Sequence, residues 1–500
     1  MIDNQIIATI LIHLFTAILQ LAFWTKTITQ RALSIAGAAL GFLFSFSLFM
    51  KVYNGEILVM NAANWDAPFG IVFVADLFSS TLVLLTSIAA LAVSIFSSVG
   101  VGKPRMLYGY FPIFHFLVMG LNGAFLTGDI FNLYVWFEVI IIASFVLLTL
   151  GGRKEQLEGA VKYMALNILA STFFLTGVGI LYGITGTLNM ADLSLKVPLV
   201  EDQSIVNLTA MFFILGFGIK SAVFPLYFWL PSSYHTPPSA VAATFGGLLT
   251  KVGLYAMFRV FTLIFIPNEF MRNVLLVLAI LTILTGAFGA VIKHDIRRLF
   301  SYLIVCHIGF IVGGLGFYTK IAFMGAIFYL IHDIMVKTNL FLISGLIRNM
   351  RGTLDTVKLG GLYSGYPKIS LLIAVVLFSL VGIPPLSGFW PKIYLFEASF
   401  LAGNYFFVAS LILASFITLY VIAKLWAEVF WKEKPDTEQT TDTFATLTLF
   451  RKTLLVLPVG ILAVATLIIG LNAELIIQVV DRISNEMLNT SPYIKAVLGK

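Results

Sequence analysis

The sequence predicts an all-α polytopic membrane protein of about fourteen transmembrane helices, a reading that rests on three observations. Of its 500 residues, 59% are hydrophobic and only 11% are charged, and the mean hydropathy is +0.99. A soluble domain carries roughly 25% charged residues, so most of this surface must face lipid. Apolar runs about 20 residues long, enough to cross a bilayer core, recur along the whole chain. The basic residues fall into alternate connections between those runs, which is how a membrane protein fixes its orientation.

In chain order the runs lie near 3–23, 33–50, 72–97, 108–127, 130–150, 161–185, 207–230, 240–262, 273–292, 299–317, 321–346, 370–400, 404–430 and 453–475. The first begins at once and is followed by many more, so it reads as a retained helix and not as a cleaved signal. Prolines interrupt the seventh and twelfth. The longest polar stretch, about 431–452, reads as a solvated cytoplasmic loop, and the tail after 475 as amphipathic and interfacial. The whole chain, 1–500, reads as a single integral membrane domain. It divides into three N-terminal helices (1–106), a first repeat (107–262), a second repeat (272–431) and a C-terminal part (432–500).

Loop charge tests the helix count. With fourteen spans, the odd-numbered connections carry eighteen lysines and arginines, among them Arg105, Arg153, Arg297, Arg298, Arg348 and Arg351. The even-numbered connections carry five: Lys51, Lys196, Arg259, Arg272 and Lys320. A miscounted helix would scramble that asymmetry, which places both termini outside.

Composition also excludes function classes. One cysteine, Cys306, rules out a disulfide framework, a tetracysteine zinc site and a cysteine-ligated iron–sulfur cluster. No glycine-rich nucleotide loop appears, so neither a cofactor nor a metal is expected. The net charge of +7 resides in short inter-helix loops, which argues for membrane topology and against nucleic acid.

A charge at mid-bilayer costs at least ~2.5–3.5 kcal/mol, so those that persist usually face the bundle interior and function. Glu138, Lys220, Lys251, Lys337 and Lys392 qualify. Burial disfavours the ionised form of lysine and of glutamate, and an opposite charge restores it. A Glu–Lys pair in a dry site is therefore bistable, holding or passing a proton with small changes of distance. Arginine would not substitute, because it does not deprotonate. His307 and His332, in apolar helices, read equally as proton relays or as satisfied structural histidines. His235, beside a helix interruption, is a further proton-relay candidate, better placed than His13 or His115. His13 and His115 read as structural, Asp76 and Asp129 as helix caps, and Lys424 and Glu428 as snorkelling side chains.

Lys220 lies one turn before Pro225, and Lys392 follows Pro391, with Pro384 and Pro385 upstream. Proline removes a backbone donor and clashes with the preceding turn. A spanning helix tolerates that where the freed groups face protein or water, so a hydrated pocket is expected at each break. Broken segments in corresponding positions of two halves point to an ion site. Here the breaks lie five helices apart, which suggests two five-helix repeats over helices 4–8 and 9–13.

Three motifs carry a family resemblance. Trp229-Leu230-Pro231 through Tyr234-His235-Thr236-Pro237-Pro238, continuing to Lys251-Val252-Gly253, resembles a signature of the antiporter-like subunits of respiratory complex I. So do His294-Asp295-Ile296-Arg297-Arg298 leading to His307, and Gly382-Ile383-Pro384-Pro385-Leu386-Ser387-Gly388 with Lys392. Within that superfamily, His332-Asp333-Ile334-Met335-Val336-Lys337-Thr338-Asn339 is similar to the D-subunit family of Mrp-type multisubunit sodium/proton antiporters. The resemblance implies proton translocation by Glu138 and Lys220 as charge pair, Lys251 as central relay, and Lys337 and Lys392 toward the far exit. It implies a transporter subunit and not an enzyme, in a prokaryotic plasma membrane, handling Na+ and H+ beside the A, B, C, E, F and G antiporter subunits. The alternative with the same motifs is a proton-pumping subunit of a complex I-type oxidoreductase or membrane-bound hydrogenase. A stand-alone carrier of organic solutes would need a cluster of mixed polar groups, and a scaffold would not need the lysines.

Overall fold

The computed structural model describes residues 4–433 and 442–499; Lys434 and the middle of the polar 431–452 stretch lie outside the described residues. Among the described residues, twelve helices are long and apolar enough to cross a membrane, and two shorter apolar ones, Tyr110–Leu126 and Pro367–Val381, accompany them. The helices are α1 (Asn4–Ala22), α2 (Thr27–Tyr53), α3 (Leu77–Gly100), α4 (Tyr110–Leu126), α5 (Ile130–Thr149), α6 (Lys154–Thr185) and α7 (Gln203–Lys220). There follow α8 (Ser239–Leu263), α9 (Glu269–Val291), α10 (Ile296–Phe317), α11 (Lys320–Arg351), α12 (Pro367–Val381), α13 (Tyr405–Trp426) and α14 (Leu449–Leu471). Beyond its break, α7 resumes as Trp229–Ser233 and α12 as Phe389–Leu401. The tail forms α15 (Ala473–Leu488) and α16 (Ser491–Leu498). A small hairpin, β1 (Leu58–Asn61) and β2 (Val72–Ala75), pairs antiparallel between α2 and α3.

The centre is made by α8, α10 and α11, which are buried almost throughout, while α1, α2, α6 and α13 keep most of their surface outward. Their outward residues are large and apolar, among them Phe15, Leu43, Ile168 and Phe416, as lipid contact requires. At 1.5 Å per residue α11 is about 48 Å long, and it carries Lys337 near its middle. Glycines set the close approaches. A Cβ on Gly286 of α9 would overlap the backbone of Cys306 in α10, and one on Gly247 of α8 would overlap the Thr338 hydroxyl of α11.

Two ends of the bundle differ in character. At one, Arg105 donates to the Leu150 carbonyl, Arg297 to Pro237, and Arg351 to Gly361. The other holds the hairpin and the tail: Gly128 donates to the Val72 carbonyl, Arg482 to Tyr53, and Lys320 pairs with Asp481. The tail is amphipathic as expected, but it packs on the bundle itself, burying Val480, Ile483 and Met487.

One backbone pattern occurs twice, displaced by 166 residues and on opposite ends. Ile130 donates to Leu188 and Met190 to Gly128; Ile296 donates to Leu354 and Thr356 to His294. Asp129 caps α5 at Asn132 and Asp295 caps α10 at Arg298. Gly186 and Gly352, both with positive φ, end α6 and α11.

Because α9 and α10 touch backbone to backbone at Gly286, Gly286→Ala should destabilise the protein by about 1–3 kcal/mol, the usual range for overpacking. Thermal unfolding in detergent should show a lower midpoint, and an unchanged midpoint would contradict the close approach.

Candidate functional site

Charged and polar side chains form a row across the middle of the bundle. It starts on α5, where Glu138 is half-buried at the perimeter. Ser171 of α6 donates to Glu138 at 2.5 Å, and Lys220 Nζ, at the end of α7, lies 3.2 Å from the same Ser171 hydroxyl. The expected pair is therefore bridged by a serine and not in direct contact. Lys220 also sits 4.7 Å above the Phe137 ring.

The end of α7 is held close to α8. A Cβ on Gly253 would crowd Ser221 and the Phe217 carbonyl, so only glycine lets Lys251, two residues earlier, approach. A π-turn over Phe245–Leu249 precedes that lysine. Such turns free backbone groups and often mark functional positions; here the Gly246 carbonyl accepts from Lys251 Nζ at 2.8 Å.

The central carboxylate is Asp333 of α11. Lys251 Nζ lies 2.7 Å from its Oδ2, His307 Nδ1 3.2 Å from its Oδ1, and Lys337 Nζ, one turn on, 3.9 Å from Oδ1. All four side chains are fully buried. Lys337 Nζ makes no hydrogen bond among the described residues. Removing one partner of a buried pair leaves an uncompensated charge, which costs about 3–5 kcal/mol, so Asp333 fixes the positions of its three neighbours.

The row continues to the break in α12. His332 Nδ1 lies 2.8 Å from the Ser387 hydroxyl, which is 2.7 Å from Ser379. Lys392 Nζ donates to the Val381 carbonyl at 2.7 Å and faces the Phe310 ring. The freed carbonyl is thus bound by the lysine ammonium. Pro391, however, is not a breaking residue: it lies in the first turn of Phe389–Leu401, where a missing N–H is harmless. The interruption comes at 382–388, with Pro384 and Pro385.

The first break departs from the expected hydrated pocket. The Trp229 indole donates to the Ile219 carbonyl and the Phe224 N–H to Thr282. The cavity of about 70 Å³ beside Pro225 is lined by Ile214, Leu215, Val223, Met257 and other apolar residues.

The remaining histidines lie apart from the row. His235 sits at the basic end, its Nδ1 2.9 Å from the Pro231 carbonyl and its Nε2 2.9 Å from Arg298. Burial, and after it Arg298, push it down to about 4. His13 and His115 pair at 3.0 Å, with Ser34 on His115. Asp76 caps α3, as expected, and in addition pairs with Arg259. Lys424 lies 4.0 Å from Glu428 on the same helix.

Sequence reasoning missed Asp333 and Ser171 as members of the row. Asp333 gave a signal, an acid in an apolar helix one turn before a buried lysine. Ser171 gave none, since serine is common in membrane helices and bonds its own backbone there.

The profile of the NADH:quinone oxidoreductase/Mrp antiporter transmembrane family matches residues 127–418. The D subunit of a Na(+)/H(+) antiporter from Alkalihalophilus pseudofirmus is 42% identical over 99% of both chains, and its counterpart from Bacillus subtilis 40% identical over 99% of both. A chain in the structure of the Mrp complex from Dietzia sp. superposes with a TM-score of 0.90 at 28% identity, covering 100% of each. One in respiratory complex I from Thermus thermophilus, at 24% identity, shares the fold with a TM-score of 0.81 over 97% of this chain and 100% of that one.

Asp333→Leu should lower thermal stability by about 3–5 kcal/mol, because Lys251 and Lys337 lose their counter-charge. Adding Lys251→Met should recover part of that loss, since two charges then leave together. A double-mutant cycle measures the coupling, and strictly additive losses would show that the pair is not held as described.

Proposed function

Because this chain belongs to the NADH:quinone oxidoreductase/Mrp antiporter membrane family, we propose that it is the D-type, ion-translocating subunit of a multisubunit sodium/proton antiporter. The observation that carries the reading is the row itself, in which Lys220, Lys251, Asp333, Lys337 and Lys392 are buried in an apolar bundle and Glu138 stands at its perimeter end. It acts as a transporter subunit and not as an enzyme, in a bacterial plasma membrane, beside the A, B, C, E, F and G subunits. The chain crosses the membrane fourteen times with both termini outside. Its two inverted repeats cover helices 4–8 and 9–13, and the backbone pattern repeated at 166 residues supports them.

Protons pass along the row. Ser171 donates to Glu138 and accepts from Lys220, so its hydroxyl links carboxylate and amine in one hydrogen-bonded line. A lysine that moves away from its acceptor loses the interaction that offsets its burial and gives up its proton. Lys251 does this against Asp333, with Lys337 and His307 within reach of the same carboxylate. His332, Ser387 and Lys392 lead to the break in α12. A proton-pumping role in a complex I-type enzyme shares the fold, but the relatives at 40–42% identity are antiporter subunits.

Sodium/proton exchange by the assembled complex in everted vesicles tests the proposal. Glu138→Ala and Lys220→Ala should each reduce exchange to below about a tenth, a barrier increase of at least ~1.4 kcal/mol, without loss of assembly. Lys251→Arg should be equally inactive, because arginine keeps its proton. Near-normal exchange in any of the three would refute the assignment for that residue, and in all three the function. Ser171→Ala should slow exchange about three- to tenfold, whereas Ser171→Thr, which keeps the hydroxyl, should stay close to wild type.

A further inference from the structure

The tail end of the bundle holds a second group of ionisable side chains outside the row. Asp76, Arg259 and Glu486 surround a cavity of about 20 Å³, with Tyr493, Asn489 and Thr490 in its wall. A space of that size accommodates one water molecule. Asp76 has both carboxylate oxygens engaged, one capping Ser79 and the other on Arg259. Arg259 also lies 5.1 Å from the Tyr493 ring and 5.5 Å from that of Tyr255, and its Nε is 3.4 Å from the Tyr255 hydroxyl. Glu486, from α15, accepts the Leu77 N–H and makes no ion pair within 4 Å among the described residues. The charged groups facing it are Asp76 from the start of α3, Arg259 from α8 and Arg482 from its own helix, with Tyr493 from α16. Burial, and after it Asp76, push its carboxyl up to about 7.

This group connects to the row through one helix. Lys251, Tyr255 and Arg259 follow at four-residue spacing, so they share a face of α8 and rise about 12 Å from the central lysine to the cavity. Tyr255 stands midway, its hydroxyl donating to the Phe125 carbonyl at 2.7 Å.

We propose that Glu486 is the proton-exchanging group at the mouth of a branch that leaves the row at Lys251 and follows this face of α8 to the tail end. The inference rests on the proposed function and adds to it a place where protons meet the solution. A proton taken up by the Glu486 carboxylate passes to the cavity water. From there the Tyr255 hydroxyl, turning from the Phe125 carbonyl, accepts a proton on its oxygen as it donates its own to the neutral amine of Lys251; Lys251 ends as the ammonium, and Glu486, the water and Tyr255 return to their starting states. Arg259 keeps its proton throughout and stays paired with Asp76.

The test is exchange by the whole complex in vesicles with the pH of each side set separately. In the wild type the rate should bend near pH 7 on the tail side, as Glu486 loses its proton with rising pH. Glu486→Gln keeps the acceptor for the Leu77 N–H and the docking of α15. It should abolish that bend between pH 6 and 8 and slow exchange at least threefold. If Glu486 only fastens the tail, rate and profile will match the wild type, and the proposal fails. Tyr255→Phe keeps the ring under Arg259 and removes the hydroxyl; it should slow exchange at least threefold in a fully assembled complex. A normal rate there overturns the branch, including where Glu486→Gln impairs assembly. Lys251→Ala separates the two ideas. If it exchanges normally, Lys251 falls out of the row and the branch loses its junction; if it is inactive while Glu486→Gln keeps the wild-type profile, only the branch falls.

Discussion

Asp333 is one carboxylate in the bundle centre with two lysines and a histidine within 4 Å of it. An isolated charge in such a medium costs many kcal/mol, and attraction repays this only where geometry is close. The distances are uneven: Lys251 is in contact, while Lys337 stands off at 3.9 Å without a hydrogen bond. One carboxylate cannot neutralise both ammonium groups. The centre therefore has a built-in choice of which lysine is paired, and a small displacement of either alters it. Local structure serves that arrangement. The π-turn supplies the Gly246 carbonyl to Lys251, and the bare Cα of Gly247 lets α8 reach Thr338 on α11.

The two broken helices solve the same backbone problem with different chemistry. Each leaves carbonyls that no water in a bilayer core would satisfy. In α12 the carbonyl of Val381 is taken by the ammonium of Lys392, so the titratable group is itself part of the break. In α7 an indole takes the Ile219 carbonyl, and an apolar cavity lies beside Pro225. Lys220 is thereby free to point at Ser171 instead of at its own backbone. The first break positions its lysine, while the second binds it.

Much of this was legible in the sequence, and what was not has a physical reason. Each apolar run contains a helix, with the third starting in β2 and the seventh and twelfth broken, because lipid-compatible residues in a bilayer core satisfy their backbone chiefly by forming helices. The five expensive charges stood out for the same reason, and all of them lie in the row. The links between them were hidden. Ser171 meets Glu138 across 33 positions and Lys220 across 49, and no local pattern distinguishes a bridging serine from one bonded to its own helix. Pro391 looked like a breaker, but the sequence pattern does not show whether a proline begins a helix or interrupts one. The four-residue ladder on α8 was visible in principle, yet its meaning depends on Glu486, more than two hundred residues away.

The choice of cation along the chain follows the demands on it. Two arginines are also deeply buried, Arg259 and Arg297. Each lies near an end of the bundle and is pinned, one to the Asp76 carboxylate and the other to the Pro237 carbonyl. A guanidinium suits that task, since it stays charged and its fork holds fixed partners. The cations of the row, Lys220, Lys251, Lys337 and Lys392, are all lysines. Lys220 meets a serine, Lys392 a backbone carbonyl, Lys337 stands off a shared aspartate, and Lys251 meets that aspartate and the Gly246 carbonyl. An ammonium, unlike a guanidinium, is able to give up its proton. Had these charges served only to tie helices together, arginine would have done so at least as well. Lysine is the residue expected where a buried positive charge has to be transient.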